Sequence, residues 1–124
     1  VTKVWMPGAG GRSRPGAFVA FSVRGEELFV DMLAVDRPYQ RSGIGSRLLG
    51  LAEAYGARNG CRVMRLYVND DNVRGIRFYL KHGLAPIRHE ERVRSYLMEK
   101  WISESAQSVL KARSIFRSGL VHCY

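Results

Sequence analysis

The sequence predicts a single domain of the α/β (α+β) class built on a mixed sheet. Three observations predict it. Segments dense in β-branched and aromatic residues alternate with segments whose apolar residues recur at helical spacing. Their order along the chain reads β-β-α-β-α-β-β, which fits one sheet with helices packed on it. Glycine and short polar clusters stand at the junctions, where turns and helix caps need them.

The elements follow in order. Residues 1–6 read as a short strand, and residues 7–16 as a loop rich in Gly, Pro, Ser and Arg. Residues 17–23 (AFVAFSV) and 28–35 (LFVDMLAV) read as a strand pair, joined by a hairpin turn over residues 24–27 that contains Gly25. Pro38 helps to end the second of these strands. Residues 42–59 carry Ile44, Leu48, Leu51, Ala52 and Tyr55 on one helical stripe, with Gly60 placed to stop the helix. Residues 62–68 (RVMRLYV) alternate, with Met64, Leu66 and Val68 on one face of a strand. Residues 69–72 are polar and offer helix caps; residues 73–82 form a second, shorter helix closed by Gly83. Two final strands, 84–87 and 93–101, flank a charged turn, RHEER. Residues 103–120 read as a C-terminal helix with a weak stripe of Val109, Ala112, Phe116 and Leu120.

Composition narrows the classes. The chain has 124 residues, 46% of them hydrophobic and 25% charged, which suits one folded core and not a disordered chain. No apolar run approaches the roughly 18 residues of a membrane span, and the first residues lack a secretory apolar stretch. The two cysteines, Cys61 and Cys123, have no metal-ligand spacing, and the three histidines do not gather near them. A reduced, intracellular, cytoplasmic protein without a metal is the plain expectation. The net charge of +9 has several readings: a solvated surface, a polyanionic cofactor or acidic substrate, or nucleic acid. The arginines are scattered, and neither a basic arm nor zinc-finger spacing singles out nucleic acid.

The stretch YQRSGIGSRLL places two glycines at the mouth of the first helix. A helix N-terminus has N–H groups with no intrahelical partner and a partial positive charge. Phosphate satisfies both, provided that side chains do not hold it away. Gly43 and Gly45 supply bare backbone, Arg41 a charge and Ser46 a hydroxyl. A glycine-containing turn with no ligand is the competing reading. Leu48 stands where a dinucleotide fingerprint has its third glycine, and no GK[ST] of a nucleotide phosphate loop occurs.

Four stretches, in order, resemble the GNAT superfamily of acyl-CoA-dependent N-acyltransferases. LAVDRPYQRSGIGSRLL is similar to that family's strand, Q/R-x-x-G-x-G/A loop and helix. LYVNDDN is similar to its next strand, NVRGIRFYLKHGL to its next helix and SYLMEKW to its closing strand. The resemblance implies a mostly antiparallel sheet flanked by helices, with acetyl-CoA as co-substrate. Main-chain groups of Leu33 and Val35 would hold the acyl and pantetheine portion, in a gap where two strands splay. Gln40, Arg41, Ser42, Gly43, Ile44, Gly45 and Ser46 would hold the diphosphate. Asn72 would bond the pantetheine arm, and Tyr79 would face the thioester sulfur. The expected layout is an acetyl-CoA-binding domain over residues 1–102, with the family's first strand and helices largely missing, and a helical extension over 103–124. A homodimer would complete the acceptor wall.

The chemistry implied is attack of an amine on a thioester. The amine loses a proton and the departing thiolate gains one. Tyr79 is the candidate acid, although Ile76 and Leu80 at helical spacing equally suit a core tyrosine. Asp31 is the candidate base: period-2 alternation would place it on the face of Leu33 and Val35, and a surface carboxylate is the alternative. Glu90, Glu91, His82 and His89 read as solvated or structural groups. The expected function is acetyl transfer to a primary amine, of a small molecule or a peptide. A coenzyme-binding regulatory module and a nucleic-acid-associated protein are the alternatives.

Overall fold

In the computed structural model, which describes residues 2–7, 15–40 and 42–102, six strands form one sheet. β1 (Thr2–Pro7), β2 (Pro15–Arg24) and β3 (Glu27–Val35) make an antiparallel meander. α1 (Ile44–Arg58) then crosses over so that β4 (Val63–Asn69) pairs parallel to β3, the kind of connection a parallel pair requires. α2 (Val73–Lys81) leads to β5 (Ala85–Glu90) and β6 (Ser95–Trp101), and the sheet order is β1-β2-β3-β4-β6-β5. The sheet is therefore mixed and mostly antiparallel, as expected. The expected C-terminal helix over 103–120, the extension over 103–124 and Arg41 lie outside the described residues.

Local chemistry explains the elements. Gly25, at φ 62°, makes the reversal between Arg24 and Glu27, which pair across the hairpin. Leu48, Leu49, Ala52, Gly56 and Ala57 are the buried face of α1. Gly56 lets that helix sit close to the sheet, because a Cβ there would come within 3.0 Å of Leu28 Cδ2. Tyr55 meets Phe21 edge-on at 5.2 Å, and Val19, Phe21, Leu28, Leu48, Met64, Leu66, Leu84 and Met98 are fully enclosed. One expectation changes. Three of the five residues of RHEER are strand: Arg88, His89 and Glu90 continue β5, and the reversal falls later, with Arg94 in the left-handed region at φ 49°. β5 is an edge strand, where exposed charge is tolerated, so a charged run was a poor marker of a turn.

Two irregularities shape the centre of the sheet. β3 and β4 pair at only four positions, from Glu27↔Val63 to Val30↔Leu66. Beyond them β3 stays with β2 as far as Ala17↔Val35, while β4 stays with β6 as far as Asn69↔Ser95. The sheet forks there, as the resemblance implied. Just at the fork a β-bulge interrupts β3: Ala20 pairs with Met32 but Phe21 with Val30, leaving Asp31 as the extra residue. The bulge resets the alternation. Val30, Leu33 and Val35 all stand opposite the inward residues Phe21, Val19 and Ala17. Asp31 falls on the other face, where Ser22 Oγ donates to its carboxylate at 2.9 Å. The expectation that Asp31 shares a face with Leu33 and Val35 is thus corrected, because period 2 does not survive an inserted residue.

Candidate active site

The loop after β3 is folded on itself before the helix begins. A 3-10 turn over Arg37–Tyr39 follows the strand, and Asp36 N–H donates back to the Gly16 carbonyl at 2.8 Å. The Gln40 side-chain amide donates to the Val35 carbonyl at 3.0 Å, and the Ser42 hydroxyl donates to the Tyr39 carbonyl. These bonds hold the chain so that α1 starts at the open end of the fork.

The N-terminus of α1 is uncapped. Gly43 is the cap residue, at φ 86°, and has no side chain to offer. The first intrahelical bond runs from Arg47 N–H to the Gly43 carbonyl at 3.1 Å, so the N–H groups of residues 44–46 precede it. No acidic residue stands in that first turn. The two glycines turn out to serve different ends. Around Gly43 nothing lies within 4 Å of the place a Cβ would take, and its positive φ is what demands glycine. At Gly45 a Cβ would come within 3.3 Å of Phe78 Cζ and 3.7 Å of Val35 Cγ2. The missing side chain at Gly45 thus also gives Phe78 of α2 room to pack close on α1.

α2 supplies the opposite wall. Asn72 caps it, its Oδ1 accepting from Gly75 N–H at 3.0 Å. A Cβ on Gly75 would sit 2.5 Å from Asn72 Nδ2, so the missing side chain leaves the capping amide room to lie close over the helix end. Phe78 contacts the Tyr79 ring at 5.3 Å and the His82 ring at 4.5 Å. Burial pushes the Tyr79 hydroxyl above its ordinary value, so it stays protonated through the neutral range. His82, at the C-cap of α2, is hydrogen-bonded through Nε2 to Ser46 Oγ at 2.9 Å. Burial, and then the charges of Lys81 and Lys100, lower its pKa and favour the neutral ring.

Between these walls lies a cleft of about 720 Å³. It brings together Leu33, Val35, Gln40, Gly43, Gly45, Ser46, Asn72 and Tyr79 of the expected site. Ser42, tied to Tyr39, and Ile44, packed on the core, are not among its lining residues. Asp31 is not among them either. The walls also contain residues that the sequence did not single out for the site: Arg37, Arg74, Lys81, Phe78 and His82. The cations looked like ordinary surface charge, and only folding shows that three of them converge. No Asp or Glu is among the described residues lining the cleft. Among the described residues no group of three or more His, Cys, Asp or Glu could hold a metal ion, and no helix is long and apolar enough to cross a membrane.

Uncapped amides, a hydroxyl and three cations around one cleft suit a phosphorylated ligand, and they sit at the fork of a mixed α/β sheet. The chain belongs to the acetyltransferase (GNAT) family, whose model matches residues 9–84. No curated protein matches the sequence. Nourseothricin acetyltransferase has a similar fold, with a TM-score of 0.72 at 21% identity, over 77% of this chain and 62% of that one. The paia N-acetyltransferase of Thermoplasma acidophilum, solved in complex with coenzyme A, is 27% identical with a TM-score of 0.67, over 72% of this chain and 55% of that one. The ribosomal-protein-S18-alanine N-acetyltransferase of Escherichia coli is 25% identical with a TM-score of 0.63, over 77% and 65%. This chain thus spans less than two thirds of the length of each of these three.

Proposed function

We propose that the chain binds acetyl-CoA in the α1–α2 cleft and transfers its acetyl group to a primary amine. The observation that carries this reading is the convergence of the uncapped α1 N-terminus, Arg37, Arg74 and Lys81 on the cleft that also holds Tyr79. Membership of the family and the coenzyme A complex of the Thermoplasma acidophilum relative support it. The amides of residues 44–46 and the Ser46 hydroxyl meet the diphosphate. Asn72, with its Oδ1 committed to Gly75, offers Nδ2 to the pantetheine arm. The main chain of β3 beyond Val30, which β4 leaves unpaired, meets the acyl end. The segment 40–46, Arg41 included, remains the diphosphate loop of this reading.

The amine lone pair attacks the thioester carbonyl, the C–S bond breaks, and the thiolate leaves. Tyr79 gives that thiolate its proton. The ordinary phenol and thiol pKa values differ by only roughly 1.5 units, and the burial that raises the phenol raises a neighbouring thiolate too. The coenzyme occupies the helix face of the sheet, so the amine approaches from the other face, through the fork. Asp31 stands on that face at the fork and takes the amine proton. A primary alkyl amine, with a pKa of about 10.4, needs such a base at neutral pH.

Thiol release from acetyl-CoA with a panel of amines and N-terminal peptides tests the reading. Tyr79→Phe and Asp31→Asn are each expected to lower kcat by about 10²-fold with little change in coenzyme affinity. Turnover unchanged in Tyr79→Phe would remove it as the acid. Coenzyme binding without turnover on any amine would leave a binding module in place of an enzyme.

A further inference from the structure

The hydrogen bond between Ser46 and His82 joins the first turn of α1 to the C-cap residue of α2 across the cleft. We propose that His82 is a positioning residue: by donating from Nε2 to Ser46 Oγ it turns the Ser46 hydroxyl proton toward the coenzyme diphosphate. The inference rests on the coenzyme reading of the cleft and deepens it.

The geometry limits the choices. Ser46 Oγ and His82 Nε2 lie 2.9 Å apart, so one of them donates to the other. If the hydroxyl donates to the ring, its proton is spent and its lone pairs face an anion, which repels it. If the ring donates, the hydroxyl proton is free for a phosphate oxygen, an acceptor only. An anion at the α1 N-terminus therefore selects the ring form with a proton on Nε2. The ring is held for this task. Phe78 contacts it edge-on at 4.5 Å, Phe78 is itself seated against Gly45, and the backbone N–H of His82 donates to the Phe78 and Tyr79 carbonyls at 3.2 and 3.1 Å.

A pH dependence follows. The charged groups facing the ring are Lys81 on its own helix, Lys100 from β6 and Glu53 from α1, with Lys100 and Glu53 paired at 2.9 Å. Burial and the two lysines favour the neutral ring in the free protein. A bound diphosphate opposes them, so coenzyme binding takes up protons at His82, and affinity rises as pH falls toward the imidazole range. The imidazolium always donates from Nε2, which is the form the diphosphate selects.

Calorimetric titration with coenzyme A from pH 5.5 to 8.5 tests this on the native chain, His82→Gln, Ser46→Ala and the double variant, each checked for folding by circular dichroism. All proteins meet the same ligand at each pH, so titration of the ligand's own phosphates cancels in the ratios. His82→Gln is expected to weaken binding by about tenfold at the acid end and less at the alkaline end. In the Ser46→Ala background, His82→Gln is expected to cost clearly less than in the native background. Native protein that binds no coenzyme A would overturn the coenzyme reading itself. Native binding with a pH-independent His82→Gln ratio, or with effects of the two substitutions that simply add, would overturn the role of His82 alone. If His82→Gln fails to fold, Ser46→Ala decides: its affinity relative to native must fall with acidification, and a flat ratio sinks the proposal.

Discussion

At the scale of single residues, identical side chains answer to different demands. Gly43 and Gly45 belong to one motif, yet Gly43 is favoured by its backbone, at φ 86°, whereas a side chain at Gly45 would meet the ring of Phe78 at 3.3 Å. Gly43→Ala is expected to cost about 1 kcal/mol of stability through the left-handed conformation. Shrinking Phe78 should not change that cost. Gly45→Ala is expected to be destabilising in the native background and clearly less so with Phe78→Leu. Double-mutant cycles in chemical denaturation measure both. The motif was legible in the sequence because glycine spacing at a helix start is local information. The division of labour was not, because Phe78 lies 33 positions from Gly45 and only packing brings them together. Asp31 shows the same limit: the residue was noticed, but a bulge against β2 decides its face.

At the scale of elements, α2 matters more than its length suggests. It has no fully buried residue, yet it presents Asn72, Phe78, Tyr79 and His82 to the cleft or to α1. Its start depends on the Asn72 cap. Asn72→Ala removes that bond and is expected to cost about 1 kcal/mol of stability. On the proposed function it also weakens coenzyme binding. Asn72→Asp keeps an accepting oxygen at the helix start and removes the Nδ2 donor. It is expected to restore most of the stability and little of the affinity, which thermal melts and calorimetry together will separate. A cap-only role predicts that both recover. Element types and most boundaries were readable from periodicity, since the buried stripe of α1 and the Met64, Leu66, Val68 face of β4 are local patterns. The strand content of RHEER was not, because an edge strand has no need of an apolar signature.

At the scale of the whole molecule, charge and protonation connect the site to the fold. The chain is strongly basic, at +9, and part of that excess is spent on a cleft with no carboxylate among its described lining residues. Folding also places His82 where burial and two lysines disfavour its charged form. Its folded pKa lies below the ordinary 6.5. Its contribution to stability is therefore complete above that value and is lost as pH falls from there through the folded value. Denaturation midpoints of the free protein are expected to fall on acidification across this window, and less so in His82→Gln. An unchanged slope in that variant would show that carboxylates elsewhere set the acid limit. Coenzyme A is expected to reduce the loss, because a diphosphate favours the charged ring.

The amino-acid sequence alone determined the class of fold, the order of its elements, the glycine-marked helix start and the resemblance to one acetyltransferase family. Each of these is written in neighbours along the chain, where period, cap and turn chemistry act. Tertiary structure decided the rest: the fork between β3 and β4, the face on which Asp31 stands, the gathering of Arg37, Arg74 and Lys81, and the bond from Ser46 to His82. Those are contacts between segments distant in the chain, set by sheet register and helix packing, which no local pattern records.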